Sequence, residues 1–186
     1  ANPSDADSLA DNWVRSLYED QKKQLWVGTF EALHLLNSTT GKFSRYPSGI
    51  PVENIDEDPS GKLWIGAWGD EGIASFDPGE HQFRYYQYNP NDTTGLKDGS
   101  VWDILATRAG DVWVALSGAG IARLNQQTGT FTSYQPNLTA PEGHLNDKDE
   151  DCEEGDSLVE PVYGTSDIIN ELVQLKRRLA KLHLKF

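Results

Sequence analysis

One pattern is written three times between residues 14 and 134 of the chain. In every copy a valine precedes a tryptophan by 12 residues, and a phenylalanine precedes a tyrosine by 3 residues. The repeated residues are Val14, Trp26, Phe43 and Tyr46, then Val52, Trp64, Phe83 and Tyr86, and finally Val101, Trp113, Phe131 and Tyr134. Repeats of about 40–50 residues are typical of propellers and solenoids. The spacing therefore limits the chain to a few repeat architectures.

Each copy contains four short runs that are typical of β-strands, separated by turn residues. In the second copy the runs are 52–56, 62–66, 73–77 and 82–88, and Asp58-Pro59-Ser60-Gly61 is a turn cluster. Four antiparallel strands in succession form one propeller blade. The predicted fold class is all-β, with three β-propeller blades at about residues 12–48, 50–88 and 100–136. A β-helix or an open solenoid is the alternative, although these usually have shorter repeats.

A lone blade cannot bury both of its faces, so blades stack on their neighbours. This requirement explains the recurring large side chains. Trp26, Trp64 and Trp113 are predicted to fill the seams between blades. The repeated phenylalanine and tyrosine are predicted to pack on the outer strand.

The second copy carries the most complete set of repeat positions. They are Val52, Ile55, Glu57, Asp58, Gly61, Leu63, Trp64, Ile65, Gly66, Gly72, Phe76, Asp77, Phe83 and Tyr86. This set resembles the two-component regulator propeller repeat, and the resemblance covers roughly residues 12–136. The first copy keeps Glu19-Asp20 but lacks the glycine before Leu33, and the third has Thr107-Arg108 in place of the glutamate-aspartate pair.

The resemblance implies a non-catalytic sensing module that is periplasmic or extracellular. In that family a membrane span and a histidine kinase or another output domain typically follow, and the ligands are often carbohydrates. No membrane span, phospho-accepting histidine box or ATP-binding glycine motif is predicted here. The expected partner is a small-molecule or glycan ligand. The alternative function is a protein-interaction scaffold whose blades and C-terminal helix mediate oligomerisation.

Three blades are fewer than the four to eight with which propellers typically close. An open arc would leave exposed strand edges and apolar faces. Two explanations stay open. The chain is a piece of a longer propeller, or two copies associate as a homo-oligomer that completes a six-bladed ring.

Candidate ligand-binding residues lie in loops and at variable positions of the repeat. One group occupies the loop between the second and third strands, and another follows the repeated valine at equivalent positions. The candidates are Arg15, Glu31, Glu53, Trp68, Asp70 and Trp102. An exposed aromatic ring beside carboxylates suits a sugar, because the ring stacks on apolar sugar faces while the acids accept hydroxyl protons. The alternative is that Trp68 and Trp102 pack between blades.

Composition argues against several other functions. The net charge of -13 disfavours a nucleic-acid partner, because like charges repel. No apolar run is long enough to span a membrane. The four histidines and the single cysteine show no metal-ligand spacing, and no cofactor or nucleophile motif is present. No metal, cofactor or catalytic residue is predicted, and a propeller lyase or hydrolase would need a constellation that the sequence lacks.

The pattern stops after Pro136. Residues 137–165 are predicted to form an acidic, solvated linker. Calcium binding by Asp147, Asp149 and Asp151 is the alternative, but Cys152 and Leu158 break the calcium-loop pattern. Residues 166–186 are predicted to form an amphipathic helix with a coiled-coil seam, which packs on its own domain or dimerises. A membrane-surface helix is a further alternative, against which the preceding acidic run argues.

Overall fold

The computed structural model describes residues 5–135. The predictions for the acidic linker at 137–165 and for the C-terminal helix at 166–186 lie outside the described residues. The described part contains twelve β-strands and no helix. The strands are β1 Val14–Glu19, β2 Leu25–Thr29, β3 Ala32–Leu36, β4 Phe43–Pro47, β5 Asn54–Glu57, β6 Leu63–Gly66, β7 Ile73–Asp77, β8 Gln82–Tyr86, β9 Val101–Ala106, β10 Val112–Leu116, β11 Ile121–Leu124 and β12 Phe131–Tyr134.

The strands form three four-stranded antiparallel sheets, each in sequence order. Blade 1 comprises β1–β4, blade 2 comprises β5–β8 and blade 3 comprises β9–β12. The all-β prediction is thereby confirmed. In the second copy the third strand matches its predicted bounds, whereas the first begins at Asn54 rather than Val52. The difference arises because the Val52 amide donates to the Thr29 carbonyl of blade 1, 3.0 Å away, instead of entering the ladder of its own sheet.

Each blade has two faces that differ in what they contact. We call the face turned toward the preceding blade the leading face, and the opposite one the trailing face. In blade 2 the leading face carries Val52, Ile55, Leu63, Ile65 and Phe76, which pack with Trp26 in one buried cluster. The trailing face of blade 2 carries Trp64 and Ile73, which pack against blade 3 in a second cluster. The core of the described chain therefore consists of two seams between blades.

Hydrogen bonds accompany the apolar contacts between blades 1 and 2. The Gln21 amide donates to Glu57 Oε2 at 2.7 Å, and its side-chain amide donates to the Asp58 carbonyl at 3.0 Å. The Ser16 hydroxyl donates to the Val52 carbonyl at 2.8 Å. Burial raises the pKa of Glu57, although the Gln21 amide opposes this. These bonds fix the register of one blade on the next.

The repeated tryptophans are not equivalent. Trp26 and Trp64 are both 1% exposed, and their indole N–H groups donate to Asp20 at 2.9 Å and Asp58 at 3.0 Å. Trp113 is only partly buried. In the part of the chain that the structure describes, no fourth blade packs on it, so the prediction that Trp113 fills a seam does not hold there.

The strand register corrects one sequence alignment. Ala106 pairs with Val112 in the way that Glu57 pairs with Leu63. Ala106 and Thr107, rather than Thr107 and Arg108, therefore replace the glutamate-aspartate pair in blade 3. Thr107 stands where an aspartate accepts the indole N–H in the other two blades, so Trp113 has no such carboxylate.

Candidate functional site

A cleft of about 830 Å³ opens where the loops of blades 1 and 2 meet. The β2–β3 loop contributes Phe30 and Glu31, and the β6–β7 loop contributes Trp68 and Glu71. The connection from blade 1 to blade 2, residues 49–51, also lines the cleft. We call this feature the rim cleft. It lies on the loops between second and third strands, where the sequence predicted ligand-binding residues, and on the connection between blades 1 and 2.

Two charged residues at equivalent repeat positions meet in the rim cleft. Arg15 Nε lies 3.7 Å from Glu53 Oε1, and their side chains are 33% and 16% exposed. The Arg15 guanidinium also lies over the ring of Trp13, 5.3 Å from its centroid. A partly desolvated pair of this kind holds its geometry better than a fully exposed one. The pair therefore places one positive and one negative charge at a defined position in the cleft.

The aromatic wall of the cleft is exposed. Trp68 is 49% exposed and Phe30 is 54% exposed. Trp102 is not among the lining residues, but its ring meets Trp68 edge to face with centroids 4.6 Å apart. Both tryptophans therefore contact each other across blades 2 and 3 while keeping about half of their surface open to solvent.

Backbone hydrogen bonds hold the loop that carries Trp68. The Ala67 amide donates to the Gly72 carbonyl at 3.0 Å, and the Ala67 carbonyl accepts from the Val101 amide at 2.9 Å. Gly69, directly after Trp68, has a φ of 83°, which favours glycine because other residues are strained there. Trp68 is thus presented by an anchored turn rather than by an unsupported loop.

A second set of bonds anchors the blade 1 side of the cleft. The Glu31 amide donates to Asp11 Oδ2 at 3.3 Å, and the Glu31 carbonyl accepts from the Ser48 amide at 3.4 Å. The Tyr85 hydroxyl of blade 2 donates to the Ser48 carbonyl at 2.9 Å. Hydrogen bonds therefore join the β2–β3 loop, the connection between the blades and strand β8 on this side of the cleft.

The charge of the cleft is unbalanced. Arg15 faces three carboxylates, those of Glu31, Glu53 and Glu71. This arrangement favours hydroxyl and amine donors over anions, because carboxylates accept hydrogen bonds and repel negative charge. Among residues 5–135 no group of three or more histidine, cysteine or acidic side chains is arranged to hold a metal ion.

The structure brings together four of the six candidate residues. Arg15, Glu31, Glu53 and Trp68 line the cleft, and Trp102 contacts it through Trp68. Asp70 belongs to the same loop as Trp68 but does not line the cleft. A ligand-binding role for all six stays a prediction.

Sequence reasoning missed part of the lining. Glu71 and the connection at 49–51 were not among the candidates, and Phe30, although it lies in a loop where a ligand site was predicted, was not chosen. Phe30 was detectable, because it follows Trp26 by the same number of residues as Trp68 follows Trp64. The connection carried no comparable signal, since it lies between two repeat copies and shares no position with either.

Comparison with known families identifies the repeat. A family model described as the two component regulator propeller matches residues 8–31. The resemblance to this propeller repeat is confirmed. A search of curated protein sequences finds no significant match.

Solved structures of similar shape include extracellular sensor domains. Two proteins of B. thetaiotaomicron described as hybrid two-component systems have extracellular domains that are each 27% identical to this chain. Their TM-scores are 0.59 and 0.54, over 68% and 67% of this chain. The matched region is 19% of each of those chains, so this chain spans only a small part of the length of its relatives.

A lyase shares the architecture at a greater distance. Virginiamycin B lyase from Staphylococcus aureus is 16% identical over 71% of this chain and 45% of the lyase chain, with a TM-score of 0.55. Identity at this level shows the propeller fold and nothing about activity.

Together these comparisons show a propeller similar to the extracellular sensor domains of two-component systems. The predicted location, periplasmic or extracellular, is confirmed, because both of these similar domains are extracellular. No helix among the described residues is long and apolar enough to cross a membrane.

Proposed function

We propose that this chain supplies part of the ligand-recognising surface of a non-catalytic extracellular sensor, and that the rim cleft binds a small carbohydrate-like molecule. One observation carries the proposal. Two exposed aromatic rings, Phe30 and Trp68, share a cleft with the Arg15–Glu53 pair. The likeness to extracellular sensor domains supports the sensing role.

The chemistry of the cleft suits a sugar. Aromatic rings stack on the apolar C–H faces of a pyranose, and a few convergent polar groups orient its hydroxyls. A volume of about 830 Å³ lies within the range of small-molecule sites. The excess of carboxylates favours neutral or amino sugars over uronic acids and sulfated sugars, because an anion would meet three negative side chains.

The proposed sensing role is non-catalytic, in keeping with the likeness to extracellular sensor domains. The cleft offers one cation and three carboxylates, and none of its lining residues is a histidine or a nucleophile beside a base. His34 is fully buried, and its Nε2 accepts a hydrogen bond from the Ala10 amide at 2.9 Å. Because His34 is closed off from solvent and its acceptor nitrogen already takes part in a hydrogen bond, its role is structural.

The test is a binding screen of the full chain against neutral, amino and acidic mono- and oligosaccharides, with calorimetry on each hit. Trp68→Ala is expected to weaken binding by about five- to thirtyfold, because a stacked ring contributes on the order of 1–2 kcal/mol. Leu105→Ala is the matched control, since Leu105 is similarly exposed and does not line the cleft. Unchanged affinity in both Trp68→Ala and Phe30→Ala would remove the rim cleft as the site, and a preference for acidic sugars would contradict the charge argument.

A further inference from the structure

Part of the leading face of blade 1, on β1 and the start of β2, is an exposed apolar surface. Val14, Leu17 and Leu25 are 45%, 66% and 36% exposed. These residues occupy repeat positions that are buried in the other two blades. The equivalent residues are between 0% and 8% exposed, and they are Val52, Ile55 and Leu63 in blade 2, and Val101, Ile104 and Val112 in blade 3.

The equivalent faces of blades 2 and 3 are covered in the same way. The leading face of blade 2 packs with Trp26, and the leading face of blade 3 packs with Trp64. Each tryptophan comes from the trailing face of the preceding blade, with its indole N–H held by an aspartate six residues earlier. The exposed part of the leading face of blade 1 thus carries apolar side chains at the positions that receive a blade in the two seams.

The segment before blade 1, residues 5–13, makes two hydrogen bonds equivalent to those of the segment before blade 3, residues 92–100. The Phe43 amide donates to the Asp7 carbonyl at 2.8 Å, and in blade 3 the Phe131 amide donates to the Thr94 carbonyl at 2.7 Å. The carboxylate of Asp11 accepts from a β2–β3 loop amide, as that of Asp98 does from the β10–β11 loop.

The sequences of the two approaches agree as well. Asn2-Pro3-Ser4-Asp5 stands as far before Val14 as Asn89-Pro90-Asn91-Asp92 stands before Val101. Residues 89–100 connect blade 2 to blade 3. Residues 5–13 therefore have the form of a connection between two blades.

We propose that the leading face of blade 1 is an inter-blade interface whose partner is another propeller blade of this repeat. The partner presents a tryptophan on its second strand, an aspartate six residues before it and a glycine two residues after it. The two seams within the described chain are the template for this interface. The inference is independent of the rim cleft.

The glycine is required by close approach. A Cβ atom added to Gly66 would lie 2.7 Å from Val101 Cγ1, and one added to Gly28 would overlap the carbonyl of Val52. Val14 holds the position of Val52 and Val101 in blade 1. The partner blade therefore needs a glycine at this position, because a side chain there would collide with Val14.

The third blade of a second copy is a poor match to this requirement. Ala115 stands where Gly28 and Gly66 stand, and Thr107 replaces the aspartate. The Arg123 guanidinium also lies over the Trp113 ring, 5.8 Å from its centroid, and bonds Asp111 Oδ1 at 2.6 Å. A blade of the type of blades 1 and 2 fits better than the one that a second copy can offer.

The experiment adds such a blade to the full chain. A duplicate of residues 50–88 is joined directly ahead of Asn2, so that it runs into residues 2–13 as blade 2 runs into residues 89–100. The extended chain is expected to melt at least about 5 °C higher than the original in one transition. Hydrogen exchange of the amides of β1 is expected to slow by at least about tenfold.

Two variants of the extended chain show where the added blade binds. Leu17→Asp is expected to change the melting temperature of the original chain little, since Leu17 is exposed there, but to abolish most of the gain in the extended chain. Replacing the duplicate's copy of Trp64 by alanine is expected to do the same.

Three results would overturn the proposal. One is an extended chain with no gain, or with a separate earlier transition for the added blade. Another is a gain that survives Leu17→Asp. The third is a concentration-dependent dimer of the original chain, seen by sedimentation and lost in Leu17→Asp, because a second copy would then occupy the face.

Discussion

Trp64 and Trp113 hold the same position in the repeat, but they have different surroundings. Trp64 is enclosed between blades 2 and 3, with its indole N–H on Asp58. Trp113 is partly exposed, and within residues 5–135 the Arg123 guanidinium, rather than a neighbouring blade, lies over its ring. Both rings nevertheless contact the repeated tyrosine of their own blade, at centroid distances of 5.9 and 5.4 Å. The repeat therefore determines where the ring lies within its blade, and the neighbouring blade determines how much stability the ring contributes.

The largest expected effect tests this difference directly. Trp64→Ala removes a fully buried ring from a seam and is expected to cost about 3–5 kcal/mol of the free energy of unfolding. Trp113→Ala is the matched variant and is expected to cost only about 1 kcal/mol, because part of its surface is already in water. Chemical denaturation monitored by circular dichroism measures both. Equal losses would show that the tryptophan acts within its own blade rather than between blades.

The aspartate that holds the ring gives an intermediate effect. Burial alone would raise the pKa of Asp58, but hydrogen bonds from Ser60, Trp64 and Lys62 lower it. Asp58→Ala leaves the buried indole N–H without its acceptor and is expected to cost about 2–3 kcal/mol.

Thr107→Ala is the matched control for Asp58→Ala in blade 3. It removes the hydroxyl that accepts a hydrogen bond from the Asp111 amide, so a loss of about 1 kcal/mol or less is expected. If the two variants lose the same stability, the aspartate has no special role in the seams.

The repeat predicted the strands well because it reports a local requirement. A valine, a tryptophan and a phenylalanine at fixed spacing place apolar side chains on alternate strands of one blade, whether or not another blade packs beside it. The burial of Trp113 could not be predicted from the same spacing. Its burial depends on whether another blade packs against it, and the sequence of one repeat copy carries no information about the adjacent blade.

The candidate site was predictable only in part, for a related reason. Arg15 and Glu53 were found because equivalent positions that differ between copies stand out against a fixed frame. Glu71 and residues 49–51 lie in segments whose length and sequence differ between copies, so no alignment exposes them. The misplacement of the blade 3 pair by one residue has a different origin. The constant spacing from valine to tryptophan already aligns Ala106 and Thr107 with Glu57 and Asp58, and the strand pairing gives the same alignment.

The smallest expected effect compares blade 1 with blade 2 at one buried position. His34 is the equivalent of Ala74, since each pairs with the residue directly after the repeated tryptophan. Its ring makes two hydrogen bonds that fit the neutral form, from the Ala10 amide to Nε2 at 2.9 Å and between Nδ1 and the Val27 carbonyl at 3.3 Å. Burial lowers the pKa of His34 below its usual 6.5.

This shift makes stability depend on pH. Below about pH 6.5 the unfolded chain binds a proton at His34 that the folded chain does not, so the free energy of unfolding falls as the pH is lowered toward the folded pKa. The fall from this group is at most about 1.4 kcal/mol per pH unit. Denaturation between pH 7.5 and 5.5 is expected to show this slope in the original chain and in the control His81→Gln, and to show a shallower slope in His34→Gln. An unchanged slope in His34→Gln would mean that the carboxylates alone produce the pH dependence. His34 would then contribute no more to it than its equivalent in blade 2, Ala74.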